Sequence, residues 1–299
     1  MRSATYVTRD LAENVPAQSL IAKLLTEWDA GRIRLGERPD EVVIDDESRG
    51  WFWGVLGERK VAAVLSTLGP DAQVLHSIPI GAQGADVDHL VITSSGIFTI
   101  NTKYHPGAQV WTAGHGLLVN RVSQAKYLRA SVREASRVEE KLSAAAGFAV
   151  PVYPIIVFVD AARFQQKAPN VVDGVYVRVT TARDLPHVIR VRRELSDEQT
   201  ARIAQVARMP STWLKTMRPT IPGAHLAREF DALHAALGPS LDPAVRSPRH
   251  PAAVPTRAPS KSNAGARLLV GCLGLLLIPI ALFLVSQLFV AALGAALSH

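Results

Sequence analysis

The chain has 299 residues, 48% of them hydrophobic and 20% charged, which is enough apolar side chain to build a core and excludes a mainly disordered protein. Its net charge of +7 is unevenly placed: Pro239 to Arg267 carries five Lys and Arg against one Asp, and residues 1–238 carry 28 against 25. The globular part is therefore only mildly basic, which speaks against a polycation that coats nucleic acid, while a local basic groove stays open.

Met1 to Pro16 has no apolar run, so no cleaved secretory signal is expected. Residues 17–32 carry apolar side chains at helical spacing and end near Gly31, predicting a short amphipathic helix. A second helical pattern runs from Trp51 to Leu68 and stops at Gly69 and Pro70. The period then changes from 3.6 to 2, predicting strands at Val74 to Ile80, Val87 to Ile92 and Ile97 to Thr102. Gln109 to Asn120 reads as a further strand or hairpin around Gly114 and Gly116. A long helix is expected from Val122 to Ala146, with Val122, Ala125, Leu128, Val132, Ala135, Val138 and Leu142 as its inner stripe.

Tyr153 to Val159 looks like a buried strand and Val175 to Val179 like another. Helices should begin near Thr181 and near Ser196, where Ser196 with Gln199 makes a capping-box pattern. Strands interleaved with helices in this order predict an α/β domain, a mixed sheet flanked by helices.

Gly238 to Arg267 is rich in Pro, Ser, Ala and Arg, the composition of an extended linker. From Leu268 to Leu297 no side chain is charged. As a helix this segment would reach roughly 45 Å against a hydrocarbon core of ~30 Å, so one tilted or kinked transmembrane helix is expected, with Pro279 as the kink. The Lys and Arg before it place the preceding domain in the cytoplasm, a single-pass membrane arrangement, and are also candidates for contact with anionic lipid. The lone cysteine, Cys272, lies inside this segment and can form no intrachain disulfide. The expected layout is an N-terminal helical extension (1–50), an α/β domain (51–238), a linker (239–267) and a membrane helix (268–297).

Three details point to chemistry. Glu58 shares a helical face with Val55, Val61, Ala62 and Leu65, and a carboxylate on a core-facing stripe is costly unless paired, hydrogen-bonded or bound to a metal. The plainer alternative is a rim position paired with a neighbouring Arg. Next, Asp86 to Ile92 and Gly96 to Lys103 read as a hairpin. Its register sets Ile92 opposite Ile97, Leu90 opposite Thr99, Asp88 opposite Asn101 and Asp86 opposite Lys103, all on one sheet face. An ordinary Asp86–Lys103 cross-strand pair would explain those two residues. Third, Gln124 sits at the edge of the long helix's buried stripe.

His89 points away from Asp88 by alternation, His105 is a possible general base, and His76 and His115 share no ligand spacing with them. Trp51, Phe52 and Trp53 would either stack bases or anchor the start of their helix in the interior.

The runs GERKVAAVL, VLHSIPIG, GADVDHLVITSSGIFTINTK and VSQAKYL, from Gly54 to Val159, together resemble the NERD (nuclease-related) domain of the PD-(D/E)xK nuclease-like superfamily. The resemblance implies a restriction-endonuclease-like core with a helix carboxylate, an aspartate on the second core strand, a (D/E)-x-K pair on the third, and a glutamine on the following helix. Glu58, Asp88, Lys103 and Gln124 match those places. Asn101 departs from the pattern, standing where the acid of the pair belongs.

By the same resemblance Mg²⁺ or Mn²⁺ would be held by Asp88, Glu58, Asn101 and the Thr102 carbonyl, with one negative charge fewer than usual. Two readings follow. One is a membrane-tethered, metal-dependent nuclease acting on DNA or RNA. The other is a catalytically degenerate module that binds nucleic acid or a protein partner at the membrane.

Overall fold

The computed structural model describes residues 10–38, 41–80, 85–189, 194–214 and 221–241. Residues 81–84, the linker beyond Leu241 and the expected membrane helix, with Cys272 and Pro279, lie outside the described residues. Among the described residues no helix is long and apolar enough to cross a membrane.

The first helix, α1 (Gln18–Asp29), is followed by a two-stranded ribbon, β1 (Arg34–Leu35) with β2 (Val42–Val43). Helix α2 (Asp46–Leu65) starts five residues earlier than its apolar pattern suggests, because Asp45 caps it by accepting the Ser48 backbone N–H at 2.8 Å. Three strands follow: β3 (Gln73–Pro79), β4 (Asp86–Thr93) and β5 (Gly96–Tyr104). After them comes a small hairpin of β6 (Gln109–Ala113) and β7 (Gly116–Val119).

Val122 and Ser123 form a short strand, β8, at the edge of that hairpin, so the long helix α3 (Ala125–Ala146) begins three residues later than predicted. Val122 is 61% exposed and drops out of the predicted stripe, whereas Leu128, Val132, Ala135, Val138 and Leu142 are buried as expected. The chain continues through β9 (Val152–Val159), β10 (Arg163–Gln166), β11 (Asn170–Val172) and β12 (Val175–Thr181). Helices α4 (Leu185–Ile189), α5 (Asp197–Ala207), α6 (Pro210–Trp213) and α7 (Gly223–Leu241) complete it. The capping box at Ser196 and Gln199 is formed.

The six-stranded sheet has the order β11-β12-β9-β5-β4-β3. Strands β3, β4 and β5 are antiparallel, and β9 and β12 add parallel to β5. Period-two alternation divides its apolar side chains between two layers. On one face Leu90, Ile92 and Ile97 pack with Ala135, Val138 and Leu142 of α3 and with Ile203 and Val206 of α5. On the other, Val91, Phe98, Ile100 and Val157 pack with Val61 and Leu65 of α2 and with Leu185 and Ile189 of α4. The mixed sheet with helices on both faces agrees with the fold class expected from the sequence and fits a nuclease-like fold.

A separate cluster joins α1, α2 and α7: Ile21, Leu24 and Leu25 meet Phe52, Val55, Leu226, Phe230 and Leu237. Phe52 is fully buried there, and Trp53 donates its indole N–H to the Leu241 carbonyl at 2.9 Å, so these aromatics anchor the helix in the interior. The small sheet, β10-β6-β7-β8, packs Val110 and Leu117 against Leu128 and Val132 at the start of α3.

Candidate functional site

The site lies where β4 and β5 part. The hairpin register is the predicted one, with Ile92 opposite Ile97 and Leu90 opposite Thr99, and the turn is Ser94-Ser95. The ladder between these strands runs only as far as His89 opposite Ile100, while β5 stays paired with β9 up to Tyr104. Beyond the fork the Thr102 backbone N–H has no strand partner in β4. The Asp88 carboxylate takes it instead, at 2.6 Å. A buried backbone donor must find an acceptor, so this bond fixes Asp88 at the mouth of the fork.

Glu58 comes from α2, on the stripe of Phe52, Val55, Val61 and Leu65, and is 5% exposed. It does not sit at the rim beside an Arg. The close approach of α2 to β5 is permitted by Gly57, where a Cβ would lie 2.7 Å from Tyr104 Cβ and 3.3 Å from Thr102 Cγ2. Burial, with the nearby Asp88 and Asp86 charges, pushes the Glu58 carboxyl well above its usual range, against the opposing influence of Lys103 and of the Ala17 amide.

Across the fork Asn101 donates its Nδ2 to Glu134 Oε2 of α3 at 3.1 Å. Glu134 is 9% exposed and was not singled out from the sequence. Burial and the charge of Asp88 push its carboxyl up to about 8, although the Asn101 bond and Lys103 work the other way. Asp88 itself is pushed up to about 6 by burial, with Lys103 opposing. Glu134 stands on the helix edge between buried Ser131 and Val138, the same signal that drew attention to Glu58.

Lys103 does not pair with Asp86. Its ammonium lies over the Tyr127 ring at 4.8 Å, and Asp86 accepts a hydrogen bond from the Ser19 hydroxyl of α1. The N-terminal helix thus forms one wall of the site. Gln124 is the residue before α3, its backbone N–H donating to the Leu117 carbonyl at 2.7 Å. Ten helical residues, about 15 Å of rise, separate it from Glu134, so it lies at the Tyr127 end of the helix.

His89 faces away from Asp88 as alternation requires. It meets His76 of the paired strand, Nδ1 to Nδ1 at 2.8 Å, a contact that sequence spacing alone did not suggest. Burial lowers the His76 pKa to about 4 and that of His89 well below its ordinary value. His105 stacks on Tyr127, with ring centroids 6.3 Å apart.

Oxygen atoms dominate the unsatisfied groups here. Glu58 Oε2, Asn101 Oδ1 and Glu134 Oε1 are buried with no hydrogen-bond donor, and so is Gln124 Oε1 at the far end. Buried acceptors are rarely left without partners, and a cation is one kind of group that could satisfy them. The set is mixed: among the described residues no three His, Cys, Asp or Glu side chains converge as a cage around one ion. Mg²⁺ is ordinarily held by one or two carboxylates with water and substrate oxygens, and Asp88, Glu134 and the Asn101 amide oxygen suit that mode. Thr102 contributes its amide to Asp88 and packs its side chain toward Gly57.

Residues 53–159 match the family model of the nuclease-related domain, NERD. The matched segment contains every one of Glu58, Asp88, Asn101, Lys103, Gln124 and Glu134. No curated protein and no solved structure matches the chain.

Proposed function

We propose that this protein is a metal-dependent nuclease, hydrolysing phosphodiester bonds of DNA or RNA, and that Leu268 to Leu297 tether it to a membrane. The observation that carries the nuclease reading is the convergence of Asp88, Glu134 and Asn101 at the β4/β5 fork beside Lys103, inside a segment similar to the nuclease-related domain.

Asn101 removes a charge from the strand, and Glu134 returns one from the helix. This favours an active site over a degenerate one. A divalent cation held there, Mg²⁺ or Mn²⁺, would polarise the scissile phosphate and lower the pKa of an attacking water. Once deprotonated by a bound cation, Asp88 and Glu134 would supply the anionic oxygens and Asn101 the neutral one, with buried Glu58 standing on the α2 side. Lys103, set by the Tyr127 ring and with no ion-pair partner among the described residues, is placed to stabilise charge that develops on the phosphate. The low exposure of Glu58, Thr102 and Glu134 excludes water from the carboxylates and strengthens these electrostatic effects.

The test is cleavage of single- and double-stranded DNA and RNA by the full-length protein in Mg²⁺, Mn²⁺ or EDTA, with Asp88→Ala alongside. Metal-dependent cutting that Asp88→Ala abolishes supports the reading. Binding without cutting in either metal would replace it by a non-catalytic module. The tether is tested separately by alkaline extraction of membranes, which should leave the protein in the pellet.

A further inference from the structure

Helix α3 has two unlike sides. At about 100° per residue, Leu128, Ala135, Val138 and Leu142 fall on the buried side, and Tyr127 and Glu134, seven residues apart, line the edge that faces the site. On the solvent side Lys126, Arg129, Arg133 and Arg137 fall within an arc of about 80°, and all four are exposed. They form one cationic row roughly 16 Å long, immediately beside the Tyr127–Glu134 edge.

An exposed basic row is often only a solvated helix face. Cations elsewhere on the molecule are of both kinds: Arg32, Arg59, Lys60 and Arg208 are paired with Glu27, Asp231, Asp160 and Asp10, whereas Arg34, Lys167 and Arg183, each on a different part of the chain, have no ion pair among the described residues. The four cations of α3 have no ion pair among the described residues. The row is also continuous with the site, since Lys126 lies 5.6 Å from the centre of the Tyr127 ring, which Lys103 also covers at 4.8 Å. It ends where Glu139 and Glu140 follow Arg137.

We propose that this face of α3 holds the phosphate backbone of a nucleic-acid strand and leads it past Tyr127 to the Asp88–Glu134 site. The proposal rests on the nuclease reading for its partner and adds where the substrate lies. A backbone track of this kind reads charge and not sequence, so it should bind strands of any sequence with steep salt dependence.

The experiment measures fluorescence anisotropy of labelled 20-nucleotide DNA and RNA, single- and double-stranded, with the full-length protein in EDTA at 50 to 200 mM salt. The triple variant Arg129→Gln, Arg133→Gln, Arg137→Gln should bind more weakly at low salt. Its slope of log affinity against log salt should be shallower by about 2.7 for duplex or about 2 for single strands. Over that salt range this amounts to about 40-fold less salt sensitivity on duplex. Arg202→Gln removes an exposed cation on α5 that bonds the Ala145 carbonyl, and should leave the slope unchanged.

An unchanged slope in the triple variant, an equal loss in Arg202→Gln, or no binding by the wild type would each overturn the proposal. So would loss of binding to phosphatidylserine vesicles with nucleic-acid binding intact, which would make the row a lipid face. Thermal stabilisation by Mn²⁺ should be the same in wild type and triple variant, confirming an intact fold and metal site. Failure of the nuclease reading looks different: binding along the row persists, and nothing is cut.

Discussion

Asn101 and Glu134 meet through a hydrogen bond of 3.1 Å, the strand amide donating to the helix carboxyl across 33 positions of sequence. Asn101 brings no charge of its own, and Glu134 brings a carboxyl to the same place. If the two share one task, Glu134→Gln should weaken Mn²⁺ binding, measured by calorimetry, by roughly 10- to 100-fold, the range typical of losing a ligand or its support. Asn101→Asp in the Glu134→Gln background should recover most of that loss. Equal affinity in wild type and Glu134→Gln would remove Glu134 from the site.

The same carboxyl groups make stability depend on pH in a particular direction. Glu134 is pushed up to about 8 and Asp88 to about 6, above their ordinary values near 4. The folded protein therefore binds more protons than the unfolded chain between about pH 4 and pH 8, and this stabilisation is lost as pH rises through that window. In EDTA the thermal midpoint should fall from pH 6 to pH 8, with Glu134 accounting for on the order of 2 kcal/mol. Glu134→Gln should flatten the decline. Mn²⁺ should raise the midpoint more at pH 8 than at pH 6, because binding requires deprotonated ligands.

The His76–His89 pair acts with the opposite sign. Burial lowers His76 to about 4 and holds His89 well below the ordinary value near 6.5, so the folded state resists protonation. Their contribution is complete above about pH 6.5 and is lost as pH falls through about 4. Replacing His76 by Phe should lessen the acid-side loss of stability seen by urea denaturation between pH 6 and pH 4. A curve that superimposes on the wild type would show that the pair does not govern this limb.

Gly57→Ala tests the approach of α2 to β5. The added Cβ would stand 2.7 Å from Tyr104 Cβ, in a place where neither backbone can easily yield. Overpacking of this sort costs about 1–3 kcal/mol, against a gain of roughly 0.5–1 kcal/mol from better helix propensity. A net loss in urea denaturation is expected, together with weaker Mn²⁺ binding as Glu58 is carried outward. Increased stability with unchanged metal affinity would show that the contact has room to relax.

Much of the site could be read from residue order, and the reasons differ by residue. Alternation fixed the β4/β5 register, and with it the placing of Asp88 near Asn101. Helical spacing was enough to bury Glu58. Glu134 was legible by the same rule, three residues beyond Ser131 and four before Val138, but it lies among Arg133, Arg137, Glu139 and Glu140 and reads there as one more surface charge. The alternative of an Asp86–Lys103 pair holds only if cross-strand pairing continues to the end of the hairpin. The fork ends it, and Ser19, far away in sequence, supplies the partner. Val122 extended the apolar period backwards into what is an edge strand, where no helical face exists to bury it. The His76–His89 contact depends on the β3/β4 register, which neither strand's alternation specifies by itself.

The clasp that α1 makes on the sheet sets how much of the chain is needed to hold the site together. Ser19 holds Asp86, the Gln18 backbone N–H is received by Ser77 Oγ at 2.8 Å, and Leu24 and Leu25 fill the cluster built with Phe52 and Phe230. None of α1, α7 or the sheet strands β11 and β12 lies within residues 53–159. The matched stretch is therefore smaller than the packed unit around it. Expressed alone, residues 53–159 would keep Asp86 and Val55 but lose Ser19, Leu24 and Phe230, the neighbours that hold the one and cover the other.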